Sequence, residues 1–221
     1  MSELARVLEV EVMDSDDEAR SYDAMDHAAV NDAFARAVIA TGADLSRTLD
    51  VGTGTARIPL ALATLAPHAN IVAVDLAPSM LVVARENVAA AGLSSRVELV
   101  LGDAKGLAFD DGAFSTVVSN SIVHHAPEPS RLFSELVRVL AKGGALFVRD
   151  LLRPRDRAEL DALVARHAAN DTEAQRRLFF DSLHASLTLD EVRALVAPLG
   201  VPASSVAQTS DRHWTVSWRR A

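Results

Sequence analysis

Several features that would point to other classes of protein are missing from this sequence of 221 residues. Cysteine is absent, which excludes disulfide bonds, thiolate metal sites and cysteine nucleophiles. No stretch approaches the roughly 18 uninterrupted apolar residues of a membrane span. The first residues also lack the basic and apolar segments of a signal peptide. We therefore expect a cytoplasmic protein without a membrane partner.

Basic patches of the kind that bind nucleic acids are lacking as well. The net charge is −8 at pH 7, and the lysine and arginine residues form no block along the chain. We therefore expect no nucleic-acid partner. Hydrophobic residues make up 49% of the sequence, which is ample for the core of one α/β domain. No repeat or low-complexity linker is visible, so we expect residues 1–221 to form a single domain.

The chain is organised around a glycine turn within residues 50–56. A short apolar run before the turn is typical of a buried strand, and the amphipathic stretch from Ile58 to Leu65 predicts a helix. Between them lie Gly52, Thr53 and Gly54. A strand that passes through such a turn into a helix forms a crevice at its carboxyl end. Glycine lets a ligand approach the backbone there, because no Cβ intrudes.

The pattern of this turn separates two classes of cofactor. Arg57 stands at the third position of the dinucleotide fingerprint G-x-G-x-x-G/A, where its bulk would obstruct a pyrophosphate. A nicotinamide-dependent oxidoreductase is therefore disfavoured. The segment instead fits Asp-x-Gly-x-Gly-x-Ala, beginning at Asp50, and so resembles the first motif of class I S-adenosylmethionine (SAM)-dependent methyltransferases. That motif usually ends in glycine, and Ala56 departs from it.

Two further acidic residues follow apolar runs of strand type. Asp75 and Asp103 come after the second and third of these runs, and a carboxylate at a strand end can accept hydrogen bonds from ribose hydroxyls. The resemblance assigns the ribose to Asp75, and it assigns the adenine amine to Asp103 and an adenine ring nitrogen to the amide of Ala104. Leu76 and Met80 resemble the second motif of the family, which packs around the adenosine.

The resemblance covers residues 20–150 and implies an α/β fold. It implies a doubly wound, seven-stranded, mostly parallel sheet with an antiparallel last strand, SAM as the cofactor and S-adenosylhomocysteine as its product. Asp50 is expected to order the glycine turn and the amino-acid end of SAM. Members of this class keep a lid before the first strand, so we expect residues 1–42 to form an N-terminal lid region. Tyr22 is then a candidate cofactor contact, although packing on the sheet edge explains it equally well.

Polar residues also follow the fourth predicted strand. Asn120 stands at the strand terminus and is expected to contact SAM or the substrate. His124 and His125 come next. An imidazole, with an unperturbed pKa of about 6.5, suits the removal of a proton from an acceptor. Because the two histidines are adjacent, we expect them to point in different directions. No metal site is expected, since no helical His-x-x-x-His or open three-ligand spacing is present.

The remaining chain is expected to select the substrate. The fifth strand is predicted at 145–148, after a helix that Gly143 and Gly144 are expected to end. Asp150 follows at the end of this strand and is a candidate substrate ligand, with a salt bridge to Arg149 or Arg153 as the alternative. Residues 151–199 exceed one crossover helix, and we expect a helical substrate cap there, followed by an antiparallel hairpin. The predicted cap helices lie near 155–168, 172–185 and 188–198.

The middle cap helix carries a polar triplet on one face. Arg177, Asp181 and His184 lie at helical spacing. They are candidates for binding a polar or acidic head group of the substrate, and an exposed ion-pair face is the alternative.

These patterns together predict an enzyme that transfers the methyl group of SAM to a small molecule. An oxygen or nitrogen nucleophile is favoured because the histidines offer a base, and a thiol or selenol acceptor stays open. A SAM-binding regulatory protein without catalysis, or an NAD-dependent oxidoreductase, is the alternative from another class. The sequence leaves the oligomeric state open.

Overall fold

The computed structural model describes residues 4–9, 14–25 and 27–221. Residues 1–3, 10–13 and 26 of the predicted lid region lie outside the described residues. The helices are α1 Asp16–Asp23, α2 Ala28–Ala40, α3 Arg57–Leu65, α4 Pro78–Ala90, α5 Pro129–Val139, α6 Arg157–His167, α7 Glu173–Ala185 and α8 Leu189–Val196. The strands are β1 Thr48–Val51, β2 Ile71–Asp75, β3 Val97–Leu101, β4 Phe114–Asn120, β5 Leu140–Leu151, β6 Val206–Gln208 and β7 His213–Arg219. None of the helices in the described part of the chain is both long and apolar enough to span a bilayer.

The strands form one seven-stranded sheet with the order β3-β2-β1-β4-β5-β7-β6. β1 pairs in parallel with β2 on one side and β4 on the other, and β2 pairs in parallel with β3. The last two strands, β6 and β7, pair antiparallel. The predicted mostly parallel sheet with an antiparallel end is therefore confirmed. The strand order reverses between β1 and β4, which is where ligands bind in doubly wound sheets.

The chain divides into two compact units. The larger unit comprises residues 12–120, 131–148 and 217–221, and the smaller unit comprises residues 1–11, 121–130 and 149–216. The core of the larger unit packs α2 and α3 on the sheet, with Phe34 against Phe147 in an edge-to-face contact at 5.2 Å between ring centroids. Such contacts between fully buried aromatic rings add to the burial of apolar surface.

The smaller unit has its own apolar cluster. Leu151 at the end of β5, Leu160 and Leu163 of α6, and Leu183 of α7 are buried together, with Leu4 packed against them. α7 and α8 each begin with a capping box, in which a threonine hydroxyl and a side chain three residues later satisfy two free backbone amides. This sequence signal explains why both helices begin close to the predicted residues.

The fifth strand is longer than the sequence indicated. The predicted strand 145–148 occupies the middle of β5, which begins immediately after α5 and contains Gly143 and Gly144. These glycines were expected to end the preceding helix, but they lie within the strand. A Cβ on Gly144 would lie 2.8 Å from the backbone oxygens of Ala141 and Ser115, so close packing, and not helix termination, requires a glycine here.

Candidate active site

The glycine turn joins β1 to α3 in the larger unit. Gly52, Gly54 and Ala56 adopt φ angles of +75°, +55° and +64°, a left-handed region that is costly for a residue with a Cβ. The amides of Gly52 and Thr53 donate to the carbonyl of Val74 at 2.8 and 2.9 Å. These bonds hold the turn against the end of β2.

The predicted ribose ligand, Asp75, faces this turn. Its Oδ2 accepts a hydrogen bond from the amide of Gly54 at 2.6 Å, and its Oδ1 accepts one from the amide of Ala77 at 3.0 Å. The carboxylate therefore links the end of β2 both to the glycine turn and to the start of α4. The structure brings together the two motifs that the sequence places 21 residues apart.

The predicted lid residue lies beside the same turn. The Cε1 atom of Tyr22 is 3.8 Å from the position that a Cβ on Gly54 would take, and its ring packs on a cluster that includes Ala77, Met80 and Val83. Burial, together with the negative charge of Asp75, raises the pKa of the Tyr22 hydroxyl. The absence of a side chain at Gly54 thus leaves room between the turn and the tyrosine ring.

An ion-pair network that sequence reasoning missed fixes α1 in this place. Arg57 donates to both carboxylate oxygens of Asp23 at 2.8 and 2.7 Å. Asn87 of α4 donates to Asp23 at 2.9 Å and to the carbonyl of Thr55 in the glycine turn at 3.0 Å. Arg57, whose bulk disfavours a pyrophosphate, therefore ties α1, the helix that carries Tyr22, to the end of the glycine turn. The contact joins helices far apart in sequence, so no local pattern announces it.

Buried polar atoms without a hydrogen-bond partner surround the turn. Within the described residues, these atoms include Oδ2 of Asp50 and the hydroxyl of Ser79, whereas the hydroxyls of Thr53 and Thr55 lie beside the carboxyls of Asp50 and Asp23. Burial raises the pKa of the Asp50 carboxyl to about 7. Because buried polar groups in proteins are nearly always satisfied, such a group of atoms indicates a polar ligand.

The other predicted cofactor ligands lie around the ends of β2, β3 and β4. Asp103 accepts a hydrogen bond from the amide of Lys105 at 2.8 Å, and the Lys105 ammonium lies 2.9 Å away. Burial alone would raise the pKa of Asp103, but the bonds from Lys105 lower it. Leu76 is exposed, Met80 is buried, and Ala104 and Asn120 are half-buried. The amide following β3 donates to the carbonyl of Asp75 at 2.9 Å, so the second and third motifs are neighbours.

In the smaller unit, the buried carboxylate of Asp150 orients His124. Oδ1 of Asp150 lies 2.5 Å from Nδ1 of His124 and accepts from the amide of Leu151 at 2.6 Å, while Oδ2 accepts from the amide of Val123 at 2.5 Å. Burial opposes protonation of His124, but the charge of Asp150 raises its pKa overall. These contacts favour a positioning role for Asp150, whose direct binding of substrate stays a prediction. Its ion-pair partner here is a histidine and not one of the expected arginines.

The two adjacent histidines meet a third group that the sequence did not indicate. Nε2 of His124 lies 3.4 Å and Nδ1 of His125 lies 3.1 Å from Oε1 of Glu9. The two imidazole rings are 4.1 Å apart at 37°, so the expectation that they point in different directions is wrong. They lie in a short 3-10 helix, Val123–His125, whose three residues per turn place neighbours about 120° apart rather than opposite each other.

The N-terminal segment is held on this short helix by Arg6. Its guanidinium donates to the carbonyls of His124 and Ala126, both at 3.1 Å, and to the carbonyl of Ala185 in α7 at 2.6 Å. Ser182 of α7 donates to the carboxylate of Glu9 at 3.3 Å. Two elements therefore position Glu9: Ser182 of α7 binds its carboxylate, and Arg6 holds its backbone segment against the short 3-10 helix.

The predicted polar triplet of α7 lines a groove in the smaller unit. Arg177 donates to Asp181 at 2.8 Å, so the alternative of an ion pair on this face is realised, and His184 lies further along the same groove. The guanidinium carbons of Arg157 and Arg177 lie 4.6 and 5.5 Å from the ring centroid of Phe180. The groove has a volume of about 620 Å³ and offers cationic and aromatic contacts.

Comparison with known proteins agrees with this architecture. A family model described as a methyltransferase domain matches residues 49–148. A malonyl-[acyl-carrier protein] O-methyltransferase from Geobacter sulfurreducens is 37% identical over 74% of this chain and 58% of its own length. A demethylmenaquinone methyltransferase from Thermus thermophilus is 40% identical over 49% of this chain and 48% of its own length. The chain thus spans about half the length of the curated relatives it matches.

The fold is similar to solved structures over almost its whole length. A protein from Methanococcus maripaludis, assigned as a SAM-dependent methyltransferase, has a TM-score of 0.73 and 18% identity, and the match covers 97% of this chain and 98% of that one. At this identity the likeness concerns the fold alone. Fold and sequence similarity agree with the motifs around the glycine turn: residues 49–148 match a methyltransferase domain, and the fold is that of the class I SAM-dependent methyltransferases.

Proposed function

We propose that this protein transfers the methyl group of SAM to an oxygen or nitrogen nucleophile of a small molecule and releases S-adenosylhomocysteine. The observation that supports an acceptor of this kind is the buried group of two imidazoles and a carboxylate, with His124 oriented by Asp150. An alcohol or ammonium acceptor must lose a proton to become a good nucleophile, and such side chains assist that loss. A thiol needs less help and stays among the acceptors to be screened.

The residues around the glycine turn fit SAM as the cofactor. SAM supplies a methyl group that is already activated on a sulfonium, and its amino-acid end carries a charged ammonium. The buried carboxyl of Asp50, with the hydroxyl of Thr53 beside it, offers oxygens that suit that polar end. Asp75 offers its carboxylate to the ribose, and Asp103 and Ala104 offer an acceptor and a donor to the adenine. Tyr22, Leu76 and Met80 give apolar contacts, and Asn120 gives a polar one.

The acceptor-activating group lies in the segment that follows β4. Asp150 holds Nδ1 of His124, which in the neutral imidazole leaves the Nε2 lone pair directed towards Glu9. His125 presents its Nδ1 to the same carboxylate oxygen without a hydrogen bond. We assign the removal of the proton from the acceptor to this cluster of three side chains.

Substrate recognition is assigned to the groove along α7. Arg177, Asp181 and His184 line it together with the aromatic ring of Phe180. An acidic or polar head group would exchange the ion pair between Arg177 and Asp181 for a bond to the guanidinium, because arginine binds carboxylates and phosphates in two-pronged geometry. The O-methyltransferase relative acts on a carboxyl-bearing molecule by its name, and this supports an oxygen acceptor.

The test is a transfer assay with a panel of small hydroxyl, carboxyl, amine and thiol compounds, which follows the formation of S-adenosylhomocysteine. We expect transfer to an oxygen or nitrogen compound, and we expect His124→Ala to lower the rate by about 10²–10⁴-fold without weakening SAM binding. Unchanged turnover in both His124→Ala and His125→Ala would show that neither histidine activates the acceptor. Tight SAM binding without transfer to any compound would favour the non-catalytic regulatory protein.

A further inference from the structure

We propose that Glu9, His124 and His125 together bind one divalent transition-metal ion. Their ligand atoms, Oε1 of Glu9, Nε2 of His124 and Nδ1 of His125, all lie within 4.8 Å of one another. The inference rests on the proposed function in one respect: the ion would be the means by which this cluster activates the acceptor. The sequence predicted no metal site because it shows no helical His-x-x-x-His or open three-ligand spacing, and the carboxylate found here lies 115 residues before the first histidine.

Two of the three distances between the ligand atoms match those around a small metal ion. Two ligands that each lie about 2.1 Å from an ion at a tetrahedral angle are about 3.4 Å apart. The observed separations from Oε1 of Glu9 are 3.4 Å to His124 and 3.1 Å to His125. Oε1 of Glu9 therefore already lies at a ligand-to-ligand distance from each of the two histidine nitrogens.

His124 has the environment of a metal-ligating histidine. Such a residue donates its second ring N–H to a carboxylate or carbonyl, which fixes the tautomer and the orientation of the ring. Here Nδ1 of His124 lies 2.5 Å from Oδ1 of Asp150. Asp150 is itself fixed by the backbone amides of Val123 and Leu151, so Nε2 of His124 is held in place as a potential ligand.

The other two ligands are also supported from behind. Ser182 donates to the Glu9 carboxylate, and Arg6 holds the backbone of the 3-10 helix by bonds to the carbonyl of His124 and to that of Ala126, which follows the helix. Nδ1 of His125 is buried and makes no hydrogen bond. The side chain of His124 is 4% exposed and that of His125 is 21% exposed, so the site is shielded but open at the edge of His125.

The ligand set selects the class of ion. Two imidazoles and one carboxylate suit Zn²⁺, Fe²⁺ or Co²⁺, whereas Mg²⁺ and Ca²⁺ prefer oxygen ligands alone. Three protein ligands leave at least one coordination position free. A hydroxyl or carboxyl oxygen of the acceptor would bind there, and a bound cation lowers the pKa of such a group so that its proton passes to solvent.

The experiment measures metal binding to the untagged full-length chain after removal of bound metal with a chelator. Titration with Zn²⁺ and with Co²⁺, followed by calorimetry and by elemental analysis of the dialysed protein, is expected to give one ion per chain. Mg²⁺ at the same concentration is expected not to bind. Failure of Zn²⁺ and Co²⁺ to bind in one-to-one stoichiometry would overturn the proposal and would indicate that protons alone bridge the three side chains.

Variants locate the ion. Glu9→Gln and His125→Ala are each expected to weaken Zn²⁺ binding by more than about 100-fold, and Asp150→Asn, which acts through His124, by about 10–100-fold. His68→Ala removes an exposed histidine elsewhere and is the matched control, with unchanged affinity. Retention of wild-type Zn²⁺ affinity in Glu9→Gln and His125→Ala would contradict the assignment.

Two further readouts separate this inference from the proposed function. SAM affinity, which is assigned to residues of the larger unit, is measured on the same samples and shows that this unit of each variant is folded. Methyl transfer that persists after complete removal of metal would leave the proposed function intact and remove the role of the ion. Metal binding without methyl transfer to any acceptor would leave the metal site intact and contradict the proposed function.

Discussion

At the scale of single residues, the carboxyl of Asp50 is the group whose chemistry depends most on its environment. It is 1% exposed, and burial raises its pKa to about 7. Desolvation disfavours the charged form of a buried acid, so the carboxyl is largely neutral below that pH and largely ionised above it. A cationic ligand beside it favours ionisation.

This dependence predicts that SAM binds more tightly as the pH rises. Between pH 6 and pH 8 the ionised fraction of a group with a pKa of about 7 rises from about one tenth to about nine tenths, and we expect up to about tenfold tighter SAM binding. Calorimetric titration at the two pH values measures this. Asp50→Asn keeps the shape of the side chain but cannot ionise, and an equally steep pH dependence in that variant would assign the effect to another group.

Single residues also show where sequence reasoning succeeds and where it stops. The glycine turn and the carboxylate of Asp75 were predicted together because each lies at the end of an apolar strand, and parallel strands bring such ends to one edge of a sheet. Glu9 was missed because only the folded chain brings residues 4–9 against the 3-10 helix. The prediction that the two histidine side chains point in different directions was wrong because they lie in a 3-10 helix and not in extended backbone.

At the scale of secondary structure, the link between α1 and α3 fixes the placement of α1, the helix of the predicted lid region. The pair of Arg57 and Asp23 is bidentate, and the Asp23 side chain is 17% exposed. A second pair on the same helix, between Arg20 and Glu86, also joins α1 to α4, but both of its side chains are more than half exposed. Exposed pairs contribute little to stability, so the two pairs form a natural comparison.

Arg57→Ala is expected to loosen α1 and to weaken SAM binding by roughly tenfold, because hydrogen bonds to charged groups contribute about 1.5–3 kcal/mol and Tyr22 depends on this helix. Hydrogen exchange of the α1 amides should become faster. Arg20→Ala is the matched control and should change both quantities little. Equal effects of the two substitutions would show that the network with Asp23 has no special part in positioning the lid.

The glycine within β5 gives a prediction about stability. A Cβ at position 144 meets two backbone oxygens at 2.8 Å, and backbone cannot move aside as a flexible side chain can. Gly144→Ala is therefore expected to lower the free energy of unfolding by about 1–3 kcal/mol, the usual cost of overpacking. Denaturant unfolding measures this. Gly106→Ala, where nothing lies within 4 Å of the added atom, should be nearly neutral, and a comparable loss there would contradict the steric explanation.

Most helices and strands were predictable within a few residues because their signals are local. The predicted cap helices near 155–168, 172–185 and 188–198 lie within two residues of the observed bounds of α6, α7 and α8. β5 was underestimated because Gly143 and Gly144 are typical of a helix end, and the close approach of Ser115 to this strand has no signature in the local sequence.

At the scale of the whole molecule, the two units hold different parts of the chemistry. The predicted cofactor ligands, from Tyr22 to Asn120, all belong to the larger unit. The two histidines, Asp150 and the groove along α7 belong to the smaller unit. The family model matches residues 49–148, most of which lie in the larger unit, so similarity identifies the cofactor far better than it identifies the acceptor.

Because the region that matches the family model lies mostly in the larger unit, the side chains of the smaller unit are the guide to the acceptor. The matched relatives are named for an oxygen acceptor and for a quinone precursor, and this chain spans only part of each. The chemistry of Glu9, His124 and His125 therefore carries the proposal about the acceptor, whereas the match of residues 49–148 to a methyltransferase domain supports SAM as the cofactor.

The most direct test of the central claim is a calorimetric titration of the wild-type protein and of Asp75→Ala with SAM, S-adenosylhomocysteine and NAD. We predict that the wild type binds the first two and not NAD. We also predict that Asp75→Ala weakens SAM binding, each lost charge-assisted hydrogen bond contributing about 1.5–3 kcal/mol. Binding of NAD alone, or a SAM affinity that Asp75→Ala leaves unchanged, would contradict this account of the glycine turn and its acidic partner.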